Sequence, residues 1–286
     1  MHELLSQTKT FEAVVFVVSV IAGVLGSILG LGGGVVIVPV LTLVFGINIR
    51  YAVGASIVSV IATSSGAAAT YVKDHITNIR VAMFLEVATT LGALGGAILA
   101  PFIPTRGLFV LFAAILMYSA FAMTRRRTEH HAVAPDAWAS RLKLSSSYPD
   151  PALGREVSYA VTGVPLGFAL MLGAGLISGL LGIGSGALKV PAMDSAMKLP
   201  IKVSSATSNF MIGVTAAASA GAYFMRGDIV PLLAAPVALG VLLGSLFGTR
   251  IMMRLPAAKV RGLFVIVLVA IAVQMALKAL GASANG

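Results

Sequence analysis

Lys189 lies three positions past Gly186, inside an apolar run. A lysine at the centre of a membrane helix costs about 2.5–3.5 kcal/mol on insertion scales, so one retained there is normally paired or functional. Two duties fit: positive charge for a bound anion, or an ion pair with Asp194 on the same short segment. Snorkelling to the interface is the plain alternative. The residues just before it belong to a pattern used twice: "GLGGGVVIVP" begins at Gly30 and "GIGSGALKVP" at Gly182, 152 positions apart.

Each glycine cluster breaks an apolar segment, and a short helix is expected to start at the break. A helix start is an anion site, through its unpaired N–H groups and its dipole. Gly32, Gly33 and Gly34 in the first pattern, and Gly184, Ser185 and Gly186 in the second, are therefore candidate contacts for a small oxyanion. Pro39 and Pro191 close the two patterns and are read as structural. Close packing of helices through small residues is the competing explanation.

The helices that follow add hydroxyl and amide groups. Ser56, Ser59 and Thr63 fall at spacings of three and four, on one face; Thr207, Ser208, Asn209 and Thr215 are their counterparts. Such donors suit an anion that must shed its water, and Ser56, Thr207, Ser208 and Asn209 join the candidate site. Interhelical hydrogen bonding is the alternative. Glu86, a few residues into its own helix, is expected near the membrane interface.

These residues must be positioned by membrane helices. The chain of 286 residues is 58% hydrophobic and 10% charged, too few charges to cover a water-soluble domain of this size. Apolar segments at 11–30, 34–46, 50–72, 80–101 and 106–124 are matched by segments at 158–182, 186–198, 202–224, 229–253 and 259–280. The fold class expected is an all-α polytopic membrane protein with the lipid bilayer as its solvent. The alternating ten-residue segments of a membrane β-barrel are missing from the pattern. The N-terminal apolar stretch is read as a retained first helix, because the repeat starts inside it.

Between the halves runs "RRRTEHHAVAPDAWASRLKLSSSYPDPALGRE", a basic polar stretch read as a loop. Within it Asp136 can cap a short helix bearing Trp138 and Leu142 and lying on the membrane surface; a disordered basic linker is the alternative. Residues 1–124 thus form a first repeat, 125–157 a cytoplasmic basic linker and 158–286 a second repeat. The duplication is read from register: Gly23, Gly92, Gly96 and Pro104 meet Gly175, Gly244, Gly248 and Pro256, and Tyr71 meets Tyr223.

An odd number of crossings per half makes the repeat inverted, the usual architecture of secondary transporters. With the linker cytoplasmic, that arrangement puts fourteen of the 20 Lys and Arg inside and six outside. It also places both termini on the periplasmic side. The short segments 34–46 and 186–198 either re-enter or cross a thinned region.

Other chemistries are disfavoured. There are 0 cysteines, which removes disulfides, thiolate metal sites and cysteine nucleophiles. No HExxH, nucleophile elbow or Walker lysine occurs, so no enzyme and no cofactor is expected. The histidines lack metal-ligand spacing, and the net charge of +10 sits between apolar runs rather than on a nucleic-acid-binding stripe.

At "GLGGGVVIVPVL" and "GIGSGALKVPAM", each followed by a "GASIVSV" or "SATSNFM" helix, the chain resembles the TauE/SafE family of sulfite exporters. The resemblance covers nearly the whole chain. It implies a bacterial inner-membrane permease, an exporter of sulfite or a small organosulfonate working by alternating access. Carried over by position, it points to Gly32, Gly33, Gly34, Pro39, Gly184, Ser185, Gly186 and Pro191, and to Ser56, Thr207, Ser208 and Asn209. Ser185 and Lys189 depart from the pattern and are expected to retune the substrate. An anion channel, a permease for another small carboxylate or sulfur compound, and a membrane assembly factor are the other readings. A homo-oligomer is compatible with all of them.

Overall fold

A computed structural model describes residues 2–124, 136–182 and 185–281. Helix α1 (His2–Leu29) ends at the first glycine cluster, and α2 (Gly34–Pro39) restarts the chain. Pro39 supplies no N–H to the helix ladder, and the chain runs on as a π-helical turn, Val40–Val44. Helices α3 (Ile49–Lys73), α4 (Ile79–Leu99) and α5 (Thr105–Thr124) complete the first half. After a short α6 (Ala137–Arg141), strands β1 (Ser146–Asp150) and β2 (Arg155–Tyr159) form a hairpin. The second half repeats the first: α7 (Val164–Leu181), α8 (Gly186–Ser195), α9 (Ile201–Met225), α10 (Pro231–Arg254) and α11 (Ala257–Gly281).

Among the described residues 7 helices are long and apolar enough to cross a membrane: α1, α3, α4, α5, α7, α10 and α11. Helix α9 matches α3 at 25 residues but has no stretch apolar enough to join these seven. Its Lys202, Ser204, Ser205, Thr207, Ser208, Asn209 and Thr215 are all buried, so its polarity faces protein. The outward faces of α4, α10 and α11 instead carry Val87, Leu91, Leu239, Phe247 and Ile266, which suits contact with lipid tails. The 11-residue run Gly34–Val44 and the 10-residue α8 rise only about 15–17 Å, half the hydrocarbon thickness.

The halves interlace. Helix α1 packs on α10 of the other half, and its counterpart α7 packs on α4; α3 meets α9, and α5 meets α11. Small residues set these crossings. A Cβ at Gly23 would strike the Val241 backbone, and one at Gly175 the Thr89 backbone; the same relation links Gly92 and Gly96 to α7, and Gly244 and Gly248 to α1. At these six glycines the close-packing explanation holds.

The described part of the polar linker, from residue 136, carries regular structure. Asp136 caps α6 through Ala139 N (2.6 Å), as its position implied, and its second oxygen accepts from Val164 N at the start of α7 (3.1 Å). The stretch expected to be loop contains the hairpin, in antiparallel register from Ser146↔Tyr159 to Asp150↔Arg155. The apolar segment expected from 158 therefore opens as a strand. Helix α7 begins only at Val164, after Gly163 in the left-handed region. The hairpin docks by its buried residues. Asn78 Nδ2 donates to Leu144 O and to Tyr159 Oη, and Lys202 Nζ donates to Asp150 Oδ1 at 2.6 Å. Burial pushes the Tyr159 phenol up to about 12, so it stays protonated at neutral pH. Residues 125–135, with His130 and His131 and the three arginines, lie outside the described residues.

Candidate functional site

The two glycine breaks meet at the centre of the molecule. In the first, Gly30, Gly32 and Gly33 take left-handed φ of 70°, 72° and 59°, a reversal that side chains with a Cβ resist. In the second, Gly182 has φ 62° and Ser185, at the position equivalent to Gly33, has φ 57°. Gly184 lies outside the described residues. The breaks approach so closely that a Cβ on Gly186 would overlap the Gly30 carbonyl and reach Leu31 Cα at 2.7 Å. Opposite, a Cβ on Gly34 would overlap Ser56 Oγ and come within 3.6 Å of Gly182 O.

A reciprocal pair of hydrogen bonds closes the crossing. Ser56 Oγ on α3 donates to Gly182 O at 2.8 Å, and Ser208 Oγ on α9 donates to Gly30 O at 2.7 Å. Each half thus holds the other half's break through equivalent serines. Asn209 Nδ2 adds a bond to Ser27 O (2.7 Å), and Ser64 Oγ donates to the Asn209 carbonyl (2.5 Å). Tyr71 and Tyr223 tie each break to its own half, through Ser27 O and Gly179 O. Pro39 and Pro191 are both buried inside the short helices.

The polar side chains collected by spacing do not all face the same place. Ser56, Ser208 and Asn209 converge on the breaks. Thr207 instead accepts from Asn78 N at 3.0 Å, so it faces the start of α4. Ser59 and Thr63 donate to carbonyls one turn back in their own helix. Ser185 ends the second break and precedes α8.

Lys189 is fully buried on α8, and its partner is not Asp194. Arg261 takes Asp194 in a two-pronged pair, at 2.9 and 2.7 Å. Lys189 Nζ donates to Thr215 Oγ1 (2.6 Å), Thr215 Oγ1 donates to Glu86 Oε1 (2.6 Å), and Glu86 Oε2 stands 3.6 Å from the ammonium. Thr90 Oγ1 also donates to Glu86 Oε1, at 3.2 Å. Glu86, expected near the interface, is an inner member of this cluster, with 12% of its side chain exposed. Burial of an ammonium demands an opposite charge, and α4 supplies it. The sequence signal was a carboxylate inside an apolar helix with threonines three and four residues on.

The pseudo-equivalent positions in the other half are Ile37, Thr63 and Ala238. One side of the crossing is therefore apolar and the other charged. A buried ammonium with adjacent hydroxyls can hold an oxyanion or a carboxylate. Among the described residues no three His, Asp or Glu side chains gather as metal ligands. A cavity of about 390 Å³ lies between α5, α7 and α8, lined by Leu188, Pro191 and Ala192 rather than Lys189.

The family model described as sulfite exporter TauE/SafE matches residues 15–275. Similar proteins include the probable membrane transporter protein YunE of Bacillus subtilis, 26% identical over 92% of this chain and 96% of its own length. The probable membrane transporter protein YdhB of the same organism is 24% identical over 82% and 88%. The probable membrane transporter protein MJ0441 of Methanocaldococcus jannaschii is 27% identical over 70% and 67%. No solved structure matches.

Proposed function

Since this chain belongs to the sulfite exporter TauE/SafE family, we propose that it is a secondary transporter of sulfite or a small organosulfonate. It works as an exporter across the bacterial inner membrane, by alternating access between two inverted halves. The linker is cytoplasmic and both termini are periplasmic. The reciprocal bonds Ser56–Gly182 and Ser208–Gly30 carry this reading. Two equivalent hydroxyls, each resting on the carbonyl of the opposite break, can exchange those carbonyls for anion oxygens when the crossing opens to one side. The starts of α2 and α8 add backbone donors, and Lys189 adds the positive charge. In this conformation the crossing is closed.

The substrate class follows from charge and size. One buried ammonium and a few hydroxyls match a compact oxyanion, while the apolar Ile37 side suits a short organic tail.

Reconstituted protein tests the reading through uptake and efflux of labelled sulfite, sulfate and methanesulfonate. Lys189→Ala and Ser208→Ala are each expected to slow the transported anion about tenfold, the loss of about 1.4 kcal/mol of interaction. If both variants move every anion as fast as the parent, these residues are not the site. Orientation has its own check: reporters fused to either terminus are expected to report the periplasm. A cytoplasmic signal from either end contradicts the inverted arrangement.

A further inference from the structure

We propose that Glu86 is a proton-binding site that couples anion movement to the proton gradient, by trading places with the anion on Lys189. This rests on the transport reading above, and its test separates the two.

The cluster is built for exchange rather than for a sealed ion pair. Glu86 Oε1 is occupied by Thr215 and Thr90, at 2.6 and 3.2 Å. Glu86 Oε2 is buried and receives no hydrogen bond among the described residues, facing the ammonium at 3.6 Å. An ammonium has three N–H donors, and only Thr215 takes one here among the described residues. The gap is wider than in the hairpin's pair, where Lys202 and Asp150 close to 2.6 Å. Glu86 also keeps 12% of its side chain exposed where Lys189 keeps 0%, so the carboxylate is the less enclosed member of the pair.

Charge balance fixes the consequence. In a low-dielectric site the neutral arrangements are favoured. Empty, Lys189⁺ and Glu86⁻ sum to zero. With one monovalent anion on Lys189, two negative groups face one positive group, and a proton on Glu86 Oε2 restores neutrality. That proton comes from the aqueous side to which the site is open. It returns to the other side when the anion leaves and the carboxylate regains the ammonium. One anion and one proton cross together and no net charge moves, so direction follows the sum of the two gradients, and export runs whenever the outward anion gradient exceeds the inward pH gradient.

Among the described residues nothing else near the carboxylate competes for this role. Helix α7, packed along α4, has no ionisable residue, nor does the 3₁₀ turn Ala100–Phe102 that follows α4. On α9, Lys202 is held by Asp150, and Tyr223 donates to Gly179 O; the Arg226 that ends it is held by Asp228 and the Ala97 carbonyl. On α8, Lys189 is the partner and Asp194 is held by Arg261. On α4 itself Arg80 binds the Lys143 carbonyl.

Proteoliposomes loaded with protein and given labelled methanesulfonate, a strong acid's anion that does not cross as a neutral acid, supply the test. With the outside acidic by one pH unit, the wild type is expected to accumulate the anion about tenfold, the equilibrium for one proton per anion. An imposed membrane potential is expected to change that level less than twofold. Glu86→Gln is expected to reverse the pattern, losing the response to pH and gaining one to voltage. Because that variant can fail to fold, proton uptake is also measured with an indicator dye on wild-type protein in weakly buffered detergent. One proton per methanesulfonate bound supports the proposal, and none overturns it. Wild-type accumulation that ignores the pH gradient, with counterflow intact, likewise overturns the coupling while leaving the transport reading in place. Failure of sulfite, sulfate and methanesulfonate alike to move by counterflow sinks the transport reading itself.

Discussion

Ser208 Oγ donates to the Gly30 carbonyl at 2.7 Å, a bond spanning 178 positions of chain and mirrored by Ser56 to Gly182. Each bond crosses from one repeat to the other, so neither half closes its own break. Removing either hydroxyl leaves a buried carbonyl short of a donor. Ser56→Ala and Ser208→Ala are each expected to cost about 1 kcal/mol. Thermal unfolding in detergent checks this. Equal and additive losses fit two equivalent contacts, and a loss confined to one serine does not.

The glycines at the crossing differ in kind from those that face open space. Gly186→Ala drives a Cβ into the Gly30 carbonyl, a backbone atom that cannot swing aside. It is expected to abolish folded protein or cost about 3 kcal/mol or more. Gly95→Ala, on α4 with nothing within 4 Å of its added Cβ, is expected to be neutral or stabilising by about 0.5–1 kcal/mol. Yield and monodispersity on gel filtration separate the two outcomes.

Ser185 holds φ 57°, where an L side chain is strained by about 1–2 kcal/mol. Ser185→Gly is expected to leave the melting temperature unchanged or raise it by a few degrees, and Ser185→Val to lower it. A drop with glycine shows that the hydroxyl contributes more than the backbone strain costs.

Lys202 and Asp150 are buried at 1% and 3% of their side chains and fasten the hairpin to the start of α9. Removing one partner strands the other charge, so Asp150→Ala is expected to destabilise by about 3–5 kcal/mol. The paired change Lys202→Met with Asp150→Leu is expected to recover most of that loss. Hydrogen exchange over residues 146–159 reads the docking directly. A single variant as protected as the parent contradicts the fastening role.

Much of this architecture was legible because membrane burial writes itself into composition and register. Ten apolar segments, two glycine clusters and an offset of 152 foretell α1–α5 and α7–α11. The partners of the buried charges were not legible. Asp194 sits five residues from Lys189 on one short helix, yet Arg261 on α11 takes it, while Glu86 arrives from α4. Such pairings depend on how α4, α8, α9 and α11 pack, and no spacing within one segment encodes that. The hairpin was hidden for another reason. Its strands are five residues each and read as polar, their inward residues being Tyr148, Asp150, Val157 and Tyr159. Thr207 looked equivalent to its neighbour Ser208, but adjacent helix positions differ by about 100°, and it turns to Asn78.

The absence of native cysteine makes the central claim directly testable, because one introduced thiol is the only one present. In Ser208→Cys, the thiol stands at the closed crossing, and a membrane-impermeant sulfonate-bearing thiol reagent reports when that crossing opens. The account predicts modification from both faces of oriented membranes, slowed by excess methanesulfonate. A thiol inert from both faces, in protein that still carries anions, would contradict it.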